Sequence, residues 1–155
     1  MSFAAKVLTV SDSAVAGTRI DTSGPALVEL LARSGFEVVD QRRVTDDVDK
    51  IVAALSSMST GFSGLLVSTG GTGFAPRDCS PEATEIVIER EAPGLSDVMR
   101  QSNSLGALSR GRAGTVGSCL IINVPGSPTG AVESTEAVLP LLPHALDLLT
   151  GGQPH

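Results

Sequence analysis

Short apolar runs rich in β-branched residues alternate along this chain with longer segments in which apolar positions recur every three or four residues. Ala5-Lys6-Val7-Leu8-Thr9-Val10-Ser11 has the first pattern and predicts a strand buried on both faces, ending near Ser11-Asp12. Residues 13–22 are polar and read as a loop, after which Ser23-Gly24-Pro25 offers a capping serine and a first-turn proline. Leu27, Leu30 and Leu31 share one face of the helix that follows, and Gly35 closes it. Phe36–Val44 predicts a second strand, mixed in character and therefore near an edge of the sheet. In residues 47–58, Val48, Ile51, Val52 and Leu55 recur at helical spacing, with Asp47 placed early, where a carboxylate complements the helix dipole.

The second half repeats the alternation. Residues 64–68 predict a third strand, and Ser80-Pro81-Glu82 starts a helix expected to reach about Glu91, where Pro93-Gly94 breaks it. Leu95, Val98, Met99, Leu105 and Leu108 predict an irregular helical stretch, and Arg110-Gly111-Arg112-Ala113-Gly114 reads as loop. Residues 115–124, interrupted by Gly117-Ser118, predict a short edge piece and then a buried strand that ends in Pro125-Gly126-Ser127-Pro128. Residues 129–149 are helical in pattern, and Pro140 and Pro143 divide them into two pieces. Strands alternating with helices define an α/β protein with a mostly parallel central sheet covered on both faces.

At 155 residues, without an internal repeat or linker, the chain suits a single domain. A hydrophobic content of 41% against 18% charged residues excludes a disordered chain. The net charge of -6 and the scattered distribution of 11 Lys and Arg exclude double-stranded nucleic acid as the main partner, although Arg42-Arg43 and Arg110/Arg112 suit a small polyanion. Cys79 and Cys119 lack a CxxC spacing, and the two histidines are His144 and His155, so reduced thiols and no transition-metal site are expected. Residues 1–6 show no signal-peptide core, and no apolar run reaches the roughly 18 residues of a membrane span, so the expected location is cytoplasmic.

In an open parallel sheet, ligands bind outside the carboxyl ends of the strands. Four such ends carry polar chemistry here: Ser11-Asp12, Asp46-Asp47, residues 69–78, and Gly126-Ser127. The third is the most informative. Gly70, Gly71 and Gly73 let the backbone approach an anion with its N–H groups, and Arg77-Asp78 adds both charges to the same turn. Neither GxxxxGK[ST] nor GxGxxG is present, which disfavours ordinary P-loop and dinucleotide sites. Asp46 and Asp47 are each either a helix cap or a site carboxylate. A glycine turn, an arginine and carboxylates from two loops suit a phosphate-bearing ligand with Mg²⁺.

Thr69-Gly70-Gly71-Thr72-Gly73, Arg77-Asp78 and Ser80-Pro81-Glu82-Ala83-Thr84 closely resemble the signature of the molybdopterin-binding family of molybdenum-cofactor biosynthesis, which includes Mog and MoaB proteins and the gephyrin G domain. Val10-Ser11-Asp12, Asp46, the segment from Pro93-Gly94-Leu95 to Met99-Arg100, and Asn123-Val124-Pro125-Gly126-Ser127-Pro128 with Glu133 follow in family order. The resemblance implies a three-layer α/β/α fold, a homotrimer, and molybdopterin as substrate. In the Mog branch it further implies adenylylation of molybdopterin by MgATP, with a molybdenum-insertion protein as a partner. On this likeness Asp78 and Asp46 position Mg²⁺ and the reacting phosphates, and Thr69, Gly70, Gly71, Thr72 and Gly73 hold phosphates. Ser11, Asp12, Gly126 and Ser127 are expected to line the pocket. Arg77 is either a ligand contact or a surface partner of Asp78, and Ser102 and Asn103 either reach the pterin or face solvent. One departure is Pro128-Thr129-Gly130, where many Mog-type chains carry a basic residue. The alternatives are a non-catalytic molybdopterin-binding or scaffold module of the MoaB type and, explaining only the glycine turn, a general sugar-phosphate or nucleotide enzyme.

Overall fold

Val7, Leu8 and Val10 leave water on opposite faces of the first strand, β1 (Phe3–Val10), and the rest of the fold supplies the two layers that cover them. The computed structural model describes residues 2–152. Chain order continues with α1 (Asp12–Ala16), α2 (Ser23–Arg33), β2 (Phe36–Val44), α3 (Val48–Ser59) and β3 (Gly64–Thr69). It then runs through α4 (Ser80–Val87), β4 (Arg90–Glu91), α5 (Pro93–Arg100), β5 (Ala113–Val116), β6 (Cys119–Val124), α6 (Pro128–Val138) and α7 (Leu142–Leu149). Single 3-10 turns at Gly106–Leu108 and Leu139–Leu141 complete the helical content among the described residues.

The six strands form one sheet in the order β2-β1-β3-β6-β5-β4. β2, β1, β3 and β6 run parallel, whereas β5 is antiparallel to β6 and β4 to β5. On one face Ala5, Val7, Leu65, Val67 and Ile122 pack with Leu27 and Leu31 of α2, Met99 of α5, Ala131 of α6 and Leu142 of α7. On the other, Leu8, Val10, Leu66 and Ile121 pack with Ile51, Leu55 and Met58 of α3 and Ala83 of α4. β3 and β6 are buried at every residue, which is why Leu65 to Val67 and Leu120 to Ile122 read as continuous apolar runs and not as alternation. The expected mostly parallel α/β sheet between helical layers is therefore the observed one.

From β1 the chain first adds β2 on one side and then β3 on the other, so the loops after β1 and β3 part at their carboxyl ends and leave a crevice. Register aligns Thr9 with Thr69, Thr69 with Val124, and Val10 with Val44, so the four parallel strands end level with one another.

Several local readings differ. Asp12, expected at the end of the first strand, and residues 13–16 of the expected loop form the short α1, whose N-terminus is capped by Ser11 Oγ accepting the Ala14 N–H at 3.2 Å. Ser23 is a buried member of α2 and not its cap; Asp21 instead accepts the Gly24 N–H at 3.0 Å. α4 stops at Val87, short of Glu91, because Glu89 and Ala92 donate their N–H groups to the Thr115 and Ala113 carbonyls and draw the chain into a sixth strand. That strand also moves β5 inward from the edge. Pro93 occupies the first turn of α5, where its missing N–H costs nothing, so it starts a helix as well as ending the preceding segment.

Candidate functional site

The glycine turn leaves β3 at Thr69, whose hydroxyl is buried and donates to the Pro125 carbonyl at 2.7 Å. Gly70 (φ 102) and Gly71 (φ 69) then turn the backbone through the left-handed region. Their carbonyls are taken by the protein: Ser80 Oγ donates to Gly70 O at 2.7 Å, and Ser80 N–H donates to Gly71 O at 3.0 Å. The next two carbonyls are also occupied, since the Arg110 N–H donates to Thr72 O at 2.7 Å and Arg110 Nε to Gly73 O at 2.8 Å. By contrast, the N–H groups of Gly71, Thr72 and Gly73 have no acceptor among the described residues. With its carbonyls spoken for and its N–H groups open, the turn is polarised to receive an anion.

Arg110 also donates from Nη2 to Asp78 O at 3.0 Å and pairs through Nη1 with Glu82 at 2.5 Å. It thus fastens both ends of the turn to the start of α4. Sequence reading placed Arg110 in a loop and missed this clamp, because its partners lie 28 to 37 residues away. The available signal was an arginine beside Gly111 in the loop before the last hairpin, which says nothing of where the guanidinium points. Asp78 closes the turn itself: its N–H donates to Ala75 O at 2.9 Å, and its Oδ2 accepts the Ala75 N–H at 3.1 Å.

Asp46 and Asp47 have separate duties. Asp47 caps α3 by accepting the Lys50 N–H at 3.1 Å, whereas Asp46 turns toward β1. Asp12 N–H donates to Asp46 Oδ2 at 3.0 Å, and Asp46 N–H returns a 3.0 Å bond to Asp12 Oδ1, so the loops after β1 and β2 hold each other. Arg77 pairs with Asp12 at both oxygens, at 2.5 and 3.0 Å, and not with Asp78. The guanidinium holds the Asp12 carboxyl below its ordinary range, with the Asp46 N–H acting in the same direction. Loss of water does the opposite at Asp46 and raises its carboxyl, with the negative charges of Asp12 and Asp78 adding to the rise against the Asp12 N–H bond.

A carboxyl that titrates higher in the folded chain than in the unfolded one binds its proton more tightly when folded. Its destabilising contribution is absent below the unfolded pKa and fully present above the folded one. Asp46→Asn is accordingly expected to raise the melting temperature at about pH 7 and to leave it nearly unchanged at about pH 3. A lower melting temperature at the higher pH would contradict this reading of Asp46.

Two cavities flank the turn. The smaller, about 440 Å³, lies over β1 and α1 and includes Ser11, Asp21, Ser23 and Asp46 in its lining. The larger, about 630 Å³, lies toward α5 and α6 and includes Thr72, Met99, Arg100, Leu105 and Glu133. Gly71, Asp78, Gly126 and Ser127 line both, so these residues form the ridge at which the compartments meet. Thr69 and Gly70 face the smaller side, and Thr72 and Gly73 the larger. Ser127 stands at the junction with Oγ accepting the Gly130 N–H at 3.1 Å as the cap of α6.

Three candidates are placed elsewhere. Asp12 and Arg77 line neither cavity and spend their charges on each other. Ser102 likewise lines neither cavity, and its hydroxyl donates to Met99 O at 2.7 Å; its neighbour Asn103 does reach the larger cavity. Cys119 is buried, with its thiol pushed up to about 12, and no group of three or more His, Cys, Asp or Glu is arranged to hold a metal among the described residues. His155 lies outside the described residues.

A mostly parallel sheet whose carboxyl edge carries a glycine turn with open N–H groups, set between two cavities, defines an α/β protein with a two-compartment candidate site. Residues 6–144 match the family model described as a probable molybdopterin binding domain. The chain is 39% identical over 152 residues to molybdopterin adenylyltransferase of Helicobacter pylori, covering 94% of this chain and 86% of that protein. Its fold matches the molybdopterin biosynthesis enzyme MoaB of Thermus thermophilus with a TM-score of 0.90 at 48% identity, covering 96% and 97% of the two chains. The Mog protein of Mycobacterium ulcerans matches with a TM-score of 0.87 at 32% identity, covering 95% and 99%. The chain belongs to the molybdopterin-binding family, and its place is in molybdenum-cofactor biosynthesis. No helix among the described residues is long and apolar enough to cross a membrane.

Proposed function

We propose that this protein transfers AMP from MgATP to molybdopterin. The observation that supports the reading above others is the pair of cavities sharing Asp78, Gly71, Gly126 and Ser127, because a group transfer between two ligands needs two compartments that open onto one another at the reacting atoms. The larger and more apolar compartment suits the pterin, and the smaller suits the nucleotide. A terminal phosphate oxygen of molybdopterin attacks the α-phosphorus of ATP. A phosphoanhydride bond breaks as the new one forms, and pyrophosphate leaves with the displaced electron pair. The open N–H groups of Gly71, Thr72 and Gly73 hold phosphate oxygens in place, so orientation and fixed positive dipoles provide the rate.

The residues fit Mg²⁺. Asp46 and Asp78 both line the smaller cavity, and each spends one carboxylate oxygen on a backbone N–H and keeps the other without a donor. Two carboxylates completed by phosphate oxygens and water are what this ion takes, and when bound it offsets charge on the phosphates. The chain's own part is to hold those oxygens: Arg110 by clamping the turn, and Asp12 by fixing the Asp46 backbone and carboxylate.

The measurement is pyrophosphate release by the purified protein given molybdopterin and MgATP. Release that depends on both substrates is expected. Tight molybdopterin binding without release would overturn the transferase reading and leave the non-catalytic module, which the lack of a basic residue at Pro128-Thr129-Gly130 favours.

A further inference from the structure

The larger cavity extends well beyond the glycine turn, into the groove between α5 and α6. Gly130, Glu133 and Ser134 line it from α6, and Ser96, Met99 and Arg100 from α5, each set recurring at the spacing of one helix face. Glu133 differs from the other carboxylates around the site. Glu82 is paired with Arg110, Asp97 with Arg100 and Asp12 with Arg77, and Asp46 and Asp78 accept backbone N–H groups. Glu133 is half-buried and has no side-chain hydrogen bond or ion pair among the described residues. Its cationic neighbour in the groove, Arg100, is already committed to Asp97 and to the Gly111 carbonyl. A half-buried carboxylate without donors, in a cavity that Met99, Leu105 and Leu108 also line, gains hydrogen bonds when a ligand brings the donors.

Position adds to chemistry. Glu133 is six residues along α6 from Ser127, or roughly 9 Å at the helical rise, which is about the length of a fused heterocycle whose phosphate end sits at the ridge. The far edge of a pterin carries a ring N–H and an adjacent exocyclic amino group, a pair of parallel donors that matches the two oxygens of a carboxylate. Building on the molybdopterin reading, we infer that Glu133 recognises the aminopyrimidinone edge of the pterin and selects a 2-amino over a 2-oxo pteridine. A 2-oxo ring presents a carbonyl where the amino group stood, and the carboxylate repels it.

The test is fluorescence titration of the whole protein and of Glu133→Gln with two probes, 6-hydroxymethylpterin and 6-hydroxymethyllumazine, which differ at that position. The unaltered protein is expected to bind the pterin probe at least about tenfold more tightly than the lumazine, the size of a hydrogen bond to a charged group. Glu133→Gln is expected to abolish the preference, because its amide donates to the 2-oxo group. If the unaltered protein binds neither probe, the molybdopterin reading fails and this inference with it. If it prefers the pterin and Glu133→Gln keeps the same preference, the molybdopterin reading stands and the role of Glu133 is overturned. Glu133→Asp, which retains charge with a shorter reach, is expected to bind the pterin more weakly with the preference intact. It separates recognition from a folding defect, since a merely structural role moves both affinities together.

Discussion

Asp78→Asn is expected to lower pyrophosphate release by about 10³-fold, the scale on which a single electrostatic group aimed at a phosphoryl transition state acts. The fold is expected to survive. Asp78 is one of four residues that line both cavities, and its Oδ2 accepts the Ala75 N–H, a bond that the amide oxygen of Asn reproduces. Arg110 binds the backbone carbonyl of Asp78 and not its side chain, so the clamp on the turn is untouched. The substitution removes charge from the ridge with little else. Release within tenfold of the unaltered protein would show that Asp78 only closes the turn, and an unchanged melting temperature is the control that makes the comparison meaningful.

A large stability effect is expected at Gly70. Its φ of 102 is strained for any residue with a Cβ, and a Cβ there would sit 2.2 Å from the Val10 carbonyl oxygen, a backbone atom of the neighbouring strand. Left-handed strain of ~1–3 kcal/mol and a comparable cost of forcing β1 and β3 apart together give about 3 kcal/mol or more for Gly70→Ala. For a chain of this size that is a fall of roughly 10 °C in melting temperature. Gly117→Ala separates the two causes. Gly117 also has a positive φ, 54, but a Cβ there meets nothing within 4 Å, so Gly117→Ala incurs the backbone strain without the clash. A Gly70→Ala protein no less stable than Gly117→Ala would remove the close approach of the turn to β1 from the account.

The elements that the sequence revealed are those whose burial writes itself as a period. Leu65 to Val67 of β3 and Leu120 to Ile122 of β6 are continuous apolar runs because both faces are covered, and α2 and α3 show one apolar face because one layer of core takes it. The glycine turn was visible because its backbone needs glycine at fixed places. What escaped was set by partners far along the chain. β4 is two residues long and exists because β5 offers it carbonyls, and α1 has five residues and no buried face to leave a pattern. Asp46 and Asp47 are adjacent and identical, yet one caps a helix and the other faces a cavity, a difference decided by backbone direction. Arg77 and Asp12 looked like site residues through their charge and their loops, and only their pairing shows that each neutralises the other.

Placement of β6 in the middle of the sheet, beside β3, has a consequence for synthesis. Three of the four loops at the site lie within the first 78 residues, but the ridge is completed by Gly126 and Ser127, and the larger cavity by α6. A nascent chain that has already paired β1, β2 and β3 therefore has no ligand site until residues beyond Ser134 have cleared the ribosome. Its ligands reward only the finished chain and give no help to a truncated one.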